Sequence, residues 1–423
     1  MVNQYIRRQL FDALKEHLEQ KEISFIVGPR QAGKTTLMLR LLELLEARGE
    51  KTLFLNLDIE ADRQYFASQE QLLRKIRLEF GSSRGYVFID EIQRKENAGV
   101  FLKGIYDMNL PYKLIVSGSG SVELKENIHE SLVGRKRIFE LSTLSFVEFA
   151  NHRTSYQYAD RLDEFFALES ASTQKLLEEY LSFGGYPRVV MADSLAEKRL
   201  LIAELYQSYL ERDLVYLLGI QKPESITALA RLIASQIGQL VSTTELANTL
   251  NINMDTVNRY LWYMEKTFIL NRVTPFFKNI RKEISKRPVF YFHDLGLRNY
   301  ALGVFGAPIT PTECGFLFQN FVYNLLREKH RNTPYHIHFW RTTHQAEVDF
   351  VIDQTTHVIP LEVKYRALTK PELTRSFLSF LAAYHPQRAY VVHLGKEISQ
   401  WVDHTQVSFI PYYQLLSDAL SCV

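Results

Sequence analysis

Residues 23 to 36 read ISFIVGPRQAGKTT, and no other stretch constrains the fold so strongly. A short apolar run, Ile23, Phe25, Ile26 and Val27, leads into Gly28, Pro29, Arg30, Gln31, Ala32, Gly33, Lys34, Thr35 and Thr36. This is the GxxxxGK[ST] phosphate-binding loop, with a strand pattern before it and a helix pattern, Leu37 to Ala47, after it. Gly28 and Gly33 let the backbone bend so that successive N–H groups point at one anion. Lys34 places a point charge on the β- and γ-phosphates of ATP. Thr35 offers a hydroxyl to Mg²⁺ and opens a helix whose dipole faces the anion. A Gly-rich turn matching by chance would leave the flanking strand and helix unexplained. The loop therefore predicts an α/β domain.

Tyr86 to Glu91 form an apolar strand ending in two carboxylates. Asp90 at the tip is placed to hold the Mg²⁺ water shell, and Glu91 to polarise the attacking water as general base. The apolar strand Thr52–Leu57 lies between the two motifs, the pattern of additional-strand P-loop ATPases, which include the AAA+ group. Lys113–Val116 runs into Ser117-Gly118-Ser119-Gly120-Ser121, where Ser117 or Ser119 matches a γ-phosphate sensor; a plain Gly/Ser turn fits equally. Arg135, with Arg137 in reserve, is a candidate arginine finger reaching a neighbouring subunit's γ-phosphate. A solvated basic pair at a helix end is the alternative.

The 423 residues predict roughly three domains. With 46% hydrophobic and 23% charged residues the chain is globular throughout. A formal charge of +2 carries no global argument for nucleic acid, so local clustering must. Two distant cysteines, Cys314 and Cys422, exclude a disulfide framework and a Cys-based zinc site, and suit a reducing cytoplasm. The N-terminus reads as an amphipathic helix with Ile6, Leu10, Leu14 and Leu18 on one stripe, not as a signal peptide. No apolar run reaches membrane-spanning length.

Downstream of the strand–helix block, a mainly helical stretch from Ser145 to about Gly219 contains Phe183-Gly184-Gly185-Tyr186-Pro187, a sharp turn. It is expected to be a lid over the nucleotide. Ser242 and Glu245 have capping-box spacing at the head of a short helix. The turn Asn251–Asn253 and a second helix, Asp255–Lys266, complete a helix-turn-helix. Residues 268 to 276 and 288 to 293 read as two strands, making a winged helix. Arg272, Lys278, Arg281, Lys282, Lys286 and Arg287 face one acid, Glu283, across this segment, which suits phosphate contacts; a solvated hairpin that binds only protein is the alternative.

The last block carries Glu347 and Asp349 on one strand and Glu362-Val363-Lys364 on the next. Strand periodicity puts Glu362 and Lys364 on one face. Asp349 can meet Glu362 across the connection Asp353–His357. Such a cluster would bind Mg²⁺ and activate water on a phosphodiester; a charged hairpin face fits the spacing equally.

In this order the blocks resemble a prokaryotic AAA+ ATPase family that joins a winged helix to a C-terminal PD-(D/E)xK, Holliday-junction-resolvase-like domain. The resemblance rests on GPRQAGKTT, YVFIDEIQ, SGSGS, SLVGRKRIFELSTLSFVEF, FGGYP, PFFKNIRKEISKRPVFYFHDLGL, EVDFVI and LEVKY, and covers nearly the whole chain. It implies an AAA+ core over 1–144, a helical lid over 145–224, a winged helix over 225–305 and a nuclease-like domain over 306–423. It implies ATP with Mg²⁺, Mg²⁺ or Mn²⁺ held by Asp349 and Glu362, and a cleavage site of Asp349, Glu362 and Lys364. It also implies branched or duplex DNA as partner, and a homo-oligomeric ring, hexameric by analogy, in the cytoplasm with the nucleoid. One departure is expected to matter. Gln319 stands where the family's first nuclease helix often carries a metal-supporting Glu. The competing expectation is a slow ATP-dependent switch with an idle DNA-binding C-terminal domain.

Overall fold

A computed structural model describes residues 5–119, 131–214, 223–277, 287–307, 311–342 and 345–416, and structural statements concern these residues. The chain divides into two compact units. The first comprises residues 1–152 with 186–191 and 262–269; the second comprises the remainder.

The first unit is built on five strands: β1 (Ile23–Gly28), β2 (Thr52–Asn56), β3 (Gly85–Asp90), β4 (Tyr112–Ser119) and β5 (Lys136–Glu140). They lie in the order β2-β3-β4-β1-β5, and every pair is parallel. β1 and β3 are buried at every residue, as strands covered on both faces must be. Their alternate residues feed two cores. Phe25, Val27, Val87 and Ile89 join Leu72, Ile76 and Leu102 on one face. Ile26, Tyr86 and Phe88 join Leu14, Leu37 and Leu41 on the other. Because all strands run the same way, Gly28, Asp90 and Ser119 share one edge of the sheet.

Two expectations change here. β2, the strand between the two motifs in sequence, lies at the sheet's outer edge; the strand standing between β1 and β3 in space is β4. Arg137 lies within strand β5 with its guanidinium over the Phe139 ring, and Arg135 immediately precedes that strand, so neither sits at a helix end.

The second unit begins with helices Leu162–Leu168, Ser170–Phe183 and Leu195–Tyr206, the last continuing into a π-helical stretch, Gln207–Leu214. Two of the motifs quoted above interlock within it. Asp294 caps helix Leu295–Leu302 by accepting from Leu297 N (2.9 Å), and its other oxygen accepts from Gly185 N (2.8 Å). Gly184 has φ +73°, and a Cβ there would lie 2.3 Å from Asp294 Oδ1. A Cβ on Gly296 would lie 2.1 Å from Phe183 O. FGG and HDLG are therefore two halves of one backbone contact. Asn299 reinforces it by donating to Leu181 O (2.8 Å).

Helices Thr243–Leu250 and Met254–Lys266 flank a left-handed Asn251, and Ser242 accepts from Glu245 N as a cap. The antiparallel pair β6 (Leu270–Val273) and β7 (Val289–Phe292) follows. Beyond β6 the chain runs on beside β8 (His336–Arg341), where Phe276 N donates to Phe339 O (2.6 Å) and Phe339 N to Thr274 O. That segment covers an edge that would otherwise expose unpaired backbone groups. The sheet it borders also contains β9 (Glu347–Asp353), β10 (Val358–Val363), β11 (Arg388–His393), β12 (Ile398–Val402) and β13 (Thr405–Pro411), in the order β12-β13-β11-β10-β9-β8. β12 and β13 form an antiparallel hairpin at one edge of this sheet. Helix Arg375–Tyr384 packs Phe377, Phe380 and Leu381 onto this sheet. Helix Pro311–Lys329 binds both backbone groups of Phe292 through the Asn320 amide (2.8 Å each).

Candidate functional site

The phosphate loop leaves β1 at Gly28, where a Cβ would lie 2.0 Å from Leu141 O, so only glycine fits beside the chain after β5. At Gly33 the backbone turns left-handed (φ +95°) and helix Lys34–Ala47 begins. Lys34 is almost fully buried, and its ammonium donates to Gly28 O (3.2 Å) and Pro29 O (2.8 Å). Burial pushes it down to about 8, against the pull of Glu91 and Asp90. Thr35 Oγ1 donates to Asp90 Oδ2 at 2.7 Å. Asp90 is fully buried, and its other oxygen is hydrogen-bonded to Ser117 Oγ. Glu91 takes up a left-handed backbone (φ 57°), and burial pushes its carboxyl above the ordinary range. Lys34, Thr35, Asp90, Glu91 and Ser117 are thus brought together from three parallel strands. Pro29, Ala32 and Gly33 lie in the same loop; Arg30 and Gln31 follow its outer turn, and Thr36 faces outward on the helix.

The oxygen pair at Thr35 and Asp90 fits a hard divalent cation, whose ligands are oxygens. Lys34, released from the loop carbonyls, supplies the charge a phosphate chain needs.

Sequence reasoning overlooked three partners. Gln93 donates its amide to the Glu91 carboxylate, and its oxygen accepts from Ser119 N (3.2 Å). Arg188 donates to Gln31 Oε1 at 3.3 Å. Arg8 reaches beneath the loop to Ala32 O at 2.6 Å. Only the spacing Ser145-Phe-Val-Glu148 offered a local signal, that of a capping box, for the helix that binds Arg8. Arg135, by contrast, accepts from Ile23 N through its carbonyl and so stands at the opposite end of β1 from Gly28. Its guanidinium pairs with Asp107 at 2.7 and 3.3 Å.

In the C-terminal sheet, β9 and β10 pair with Phe350 opposite Leu361, which puts Asp349 one step along from Glu362. Asp349 Oδ1 accepts from Gln319 Nε2 (3.0 Å) and Oδ2 from Val363 N (2.7 Å). Burial, with the Glu362 charge adding to it, pushes Asp349 up to about 7. Glu362 is buried, pairs with Lys364 Nζ at 2.6 Å and accepts from Thr374 Oγ1 (3.1 Å). Glu347 turns to Arg341 (3.3 Å). Two carboxylates, one ammonium and the Gln319 amide therefore converge. Among the described residues no three His, Cys, Asp or Glu side chains gather as a metal cluster. A cation here has two carboxylates, and the Gln319 oxygen only if that amide turns over. Of the basic residues expected to contact DNA, Arg287 is exposed beside β7, while Lys278, Arg281, Lys282 and Lys286 lie outside the described residues.

Comparison with known proteins matches residues 20–150 to a family described as "AAA domain". This part of the chain is an AAA-type ATPase domain. Residues 174–307 and 314–415 match two domains of unknown function, DUF8612 and DUF4143. An uncharacterized protein of Mycobacterium tuberculosis is 28% identical over 92% of this chain and 80% of its own. An uncharacterized protein of Methanocaldococcus jannaschii is 25% identical over 78% of this chain and 72% of its own. A solved structure titled replication initiator DnaA bound to AMPPCP and single-stranded DNA aligns with 62% of this chain and 90% of its own. Its identity is 15% and its TM-score 0.28, too loose a superposition to carry an argument. No helix among the described residues is long and apolar enough to cross a membrane.

Proposed function

We propose that this chain is an ATP-hydrolysing AAA+ enzyme that binds and remodels DNA, branched or duplex, and works as a homo-oligomeric ring in the cytoplasm. The observation that carries the ATPase reading is the Thr35–Asp90 contact of 2.7 Å beside the buried Lys34 and Glu91. Thr35 and Asp90 would hold Mg²⁺, which would neutralise phosphate charge. Lys34 binds the β- and γ-phosphates, Glu91 takes a proton from the attacking water, and Ser117 orients Asp90 while Ser119 ends the sensor strand. Arg135 keeps its proposed role as a finger only toward a neighbouring subunit, having released Asp107.

The four-part division stands as part of the proposal: core 1–144, lid 145–224, winged helix 225–305, nuclease-like domain 306–423. The capped helices Thr243–Leu250 and Met254–Lys266 followed by the β6–β7 pair support the winged-helix reading. Asp349, Glu362 and Lys364 on adjacent strands support the nuclease-like one. A second reading, a slow nucleotide switch, is favoured by one feature of each site. Gln93 occupies the Glu91 carboxylate, and Gln319 with Val363 occupies both oxygens of Asp349.

ATPase rates with duplex, single-stranded and four-way-junction DNA separate the two. A motor accelerates with DNA; a switch does not. Lys34→Ala is expected to weaken ATP binding by about a hundredfold, the worth of charge-assisted contacts to phosphate. Affinity is also expected to fall as pH rises through about 8, because the uncomplexed Lys34 loses its proton there while bound phosphate retains it. Unchanged binding by Lys34→Ala in a fluorescent-nucleotide titration would remove the loop from ATP recognition.

DNA binding is expected to depend on the wing. Replacing Lys278, Arg281 and Lys282 together should weaken affinity and flatten the salt slope by roughly 0.9 for each phosphate no longer neutralised. A slope identical to wild type would reassign the segment to protein contacts.

A further inference from the structure

Arg8 is buried, and it reaches four backbone or carboxylate groups from three separate parts of the chain. Nη1 donates to Ala32 O (2.6 Å) inside the phosphate loop. Nη2 donates to Ser142 O (2.7 Å) and Thr143 O (3.3 Å) in the segment after β5. Nε donates to Glu148 Oε2 (2.9 Å). Glu148 is itself fixed: its carboxylate accepts from Ser145 N (3.0 Å) and Gln9 N (2.7 Å), while Glu148 N donates to Ser145 Oγ (3.1 Å). That reciprocal pair is a capping box, and Arg8 is built into it.

The consequence lies in the Ala32–Gly33 peptide. No peptide of the described residues is cis. In a trans peptide the carbonyl of one residue and the N–H of the next point in opposite directions. Arg8 pulls the Ala32 carbonyl to the underside of the loop, so the Gly33 N–H is held toward the opposite, anion-facing side. This is also the softest link of the loop, because Gly33 at φ +95° can rotate where any other residue is hindered. We infer that Arg8 is a positioning residue for phosphate binding: it locks the Ala32–Gly33 peptide in the orientation that presents an N–H to the nucleotide, with Glu148 fixing Arg8 in turn. The inference rests on the reading of this loop as an ATP site.

Three variants test it by nucleotide titration and thermal melting. Arg8→Lys keeps the charge opposite Glu148 but cannot span the Ala32 and Ser142 carbonyls as a planar fork does. The double variant Arg8→Met with Glu148→Gln leaves no buried unpaired charge, the commonest reason for such a variant not to fold. Glu148→Gln alone leaves the carbonyl contacts of Arg8 in place. Expected are ATP dissociation constants about tenfold weaker in Arg8→Lys and in the double variant, the worth of one hydrogen bond, and a smaller loss of about threefold in Glu148→Gln, which loosens Arg8 without removing its carbonyl contacts. The rate at saturating ATP should change less than affinity does. If either Arg8 variant melts like wild type and binds ATP with wild-type affinity, Arg8 is only a structural tie and the inference fails. Wild-type protein that binds no ATP would instead overturn the nucleotide reading itself, a distinct result.

Discussion

Glu91→Gln is expected to bind ATP as tightly as wild type and to hydrolyse it roughly 10²–10⁴ times more slowly, the usual contribution of a general base. The argument is local. Asp90 keeps its contacts with Thr35 and Ser117 whatever follows it, so the group expected to hold Mg²⁺ is undisturbed. Glu91 is held with its carboxyl raised by burial, in a left-handed backbone that turns its side chain away from the strand direction. A raised carboxyl is a better proton acceptor for water than an ordinary one. Gln keeps the size and can still accept from Gln93, but it cannot take a proton. Single-turnover hydrolysis beside an equilibrium binding measurement gives the result directly. If binding and turnover both match wild type, Glu91 has no part in the reaction. If both fall together, the residue supports the loop and is not the base.

How much of this was legible in the sequence varies with the range of the interaction. The phosphate loop was legible because its chemistry forces particular residues within a few positions: glycine where a Cβ would strike Leu141 O, and lysine at the helix start. The helix after Ser242 was legible for the same reason, through its cap. The order of the strands was not. β2 and β4 are both short apolar runs, and nothing in such a run says which neighbour it pairs with, so the place of β4 between β1 and β3 emerged only in three dimensions. The N-terminal segment was misread in part. Its apolar stripe is buried at Ile6, Leu14 and Leu18, but the α-helix runs only Leu10–Glu16. Arg8, ahead of it, finds its partners between 24 and 140 residues away, beyond the reach of any local pattern. β12 escaped notice because it is an edge strand that mixes polar and apolar residues, with Trp401 exposed. The helix-end alternative for Arg135 and Arg137 arose because the strand Lys136–Glu140 opens with two charges.

The largest effect in the C-terminal domain should come from Asp349, and the direction of a second change decides what the domain does. Asp349→Ala is expected to lower Mg²⁺ or Mn²⁺ affinity by roughly a hundredfold or more, since even the loss of an outer partner typically costs ten- to a hundredfold. On the nuclease-like reading, Asp349 and Glu362 would give two oxygen donors to a cation and Lys364 one ammonium to steady the phosphate. Against this stands Gln319, which donates its amide to Asp349 at 3.0 Å. That hydrogen bond uses an oxygen lone pair the cation would need, and a neutral amide cannot replace the charge a carboxylate would bring. Gln319→Glu removes the donor and adds the charge. On labelled branched DNA with divalent metal, wild type should cut weakly, Gln319→Glu faster, and Asp349→Ala not at all. Cutting by Gln319→Glu alone makes the native domain a clamp. If no variant cuts, and Asp349→Ala binds metal and DNA as wild type does, these charges are a hairpin face and the nuclease-like reading is wrong.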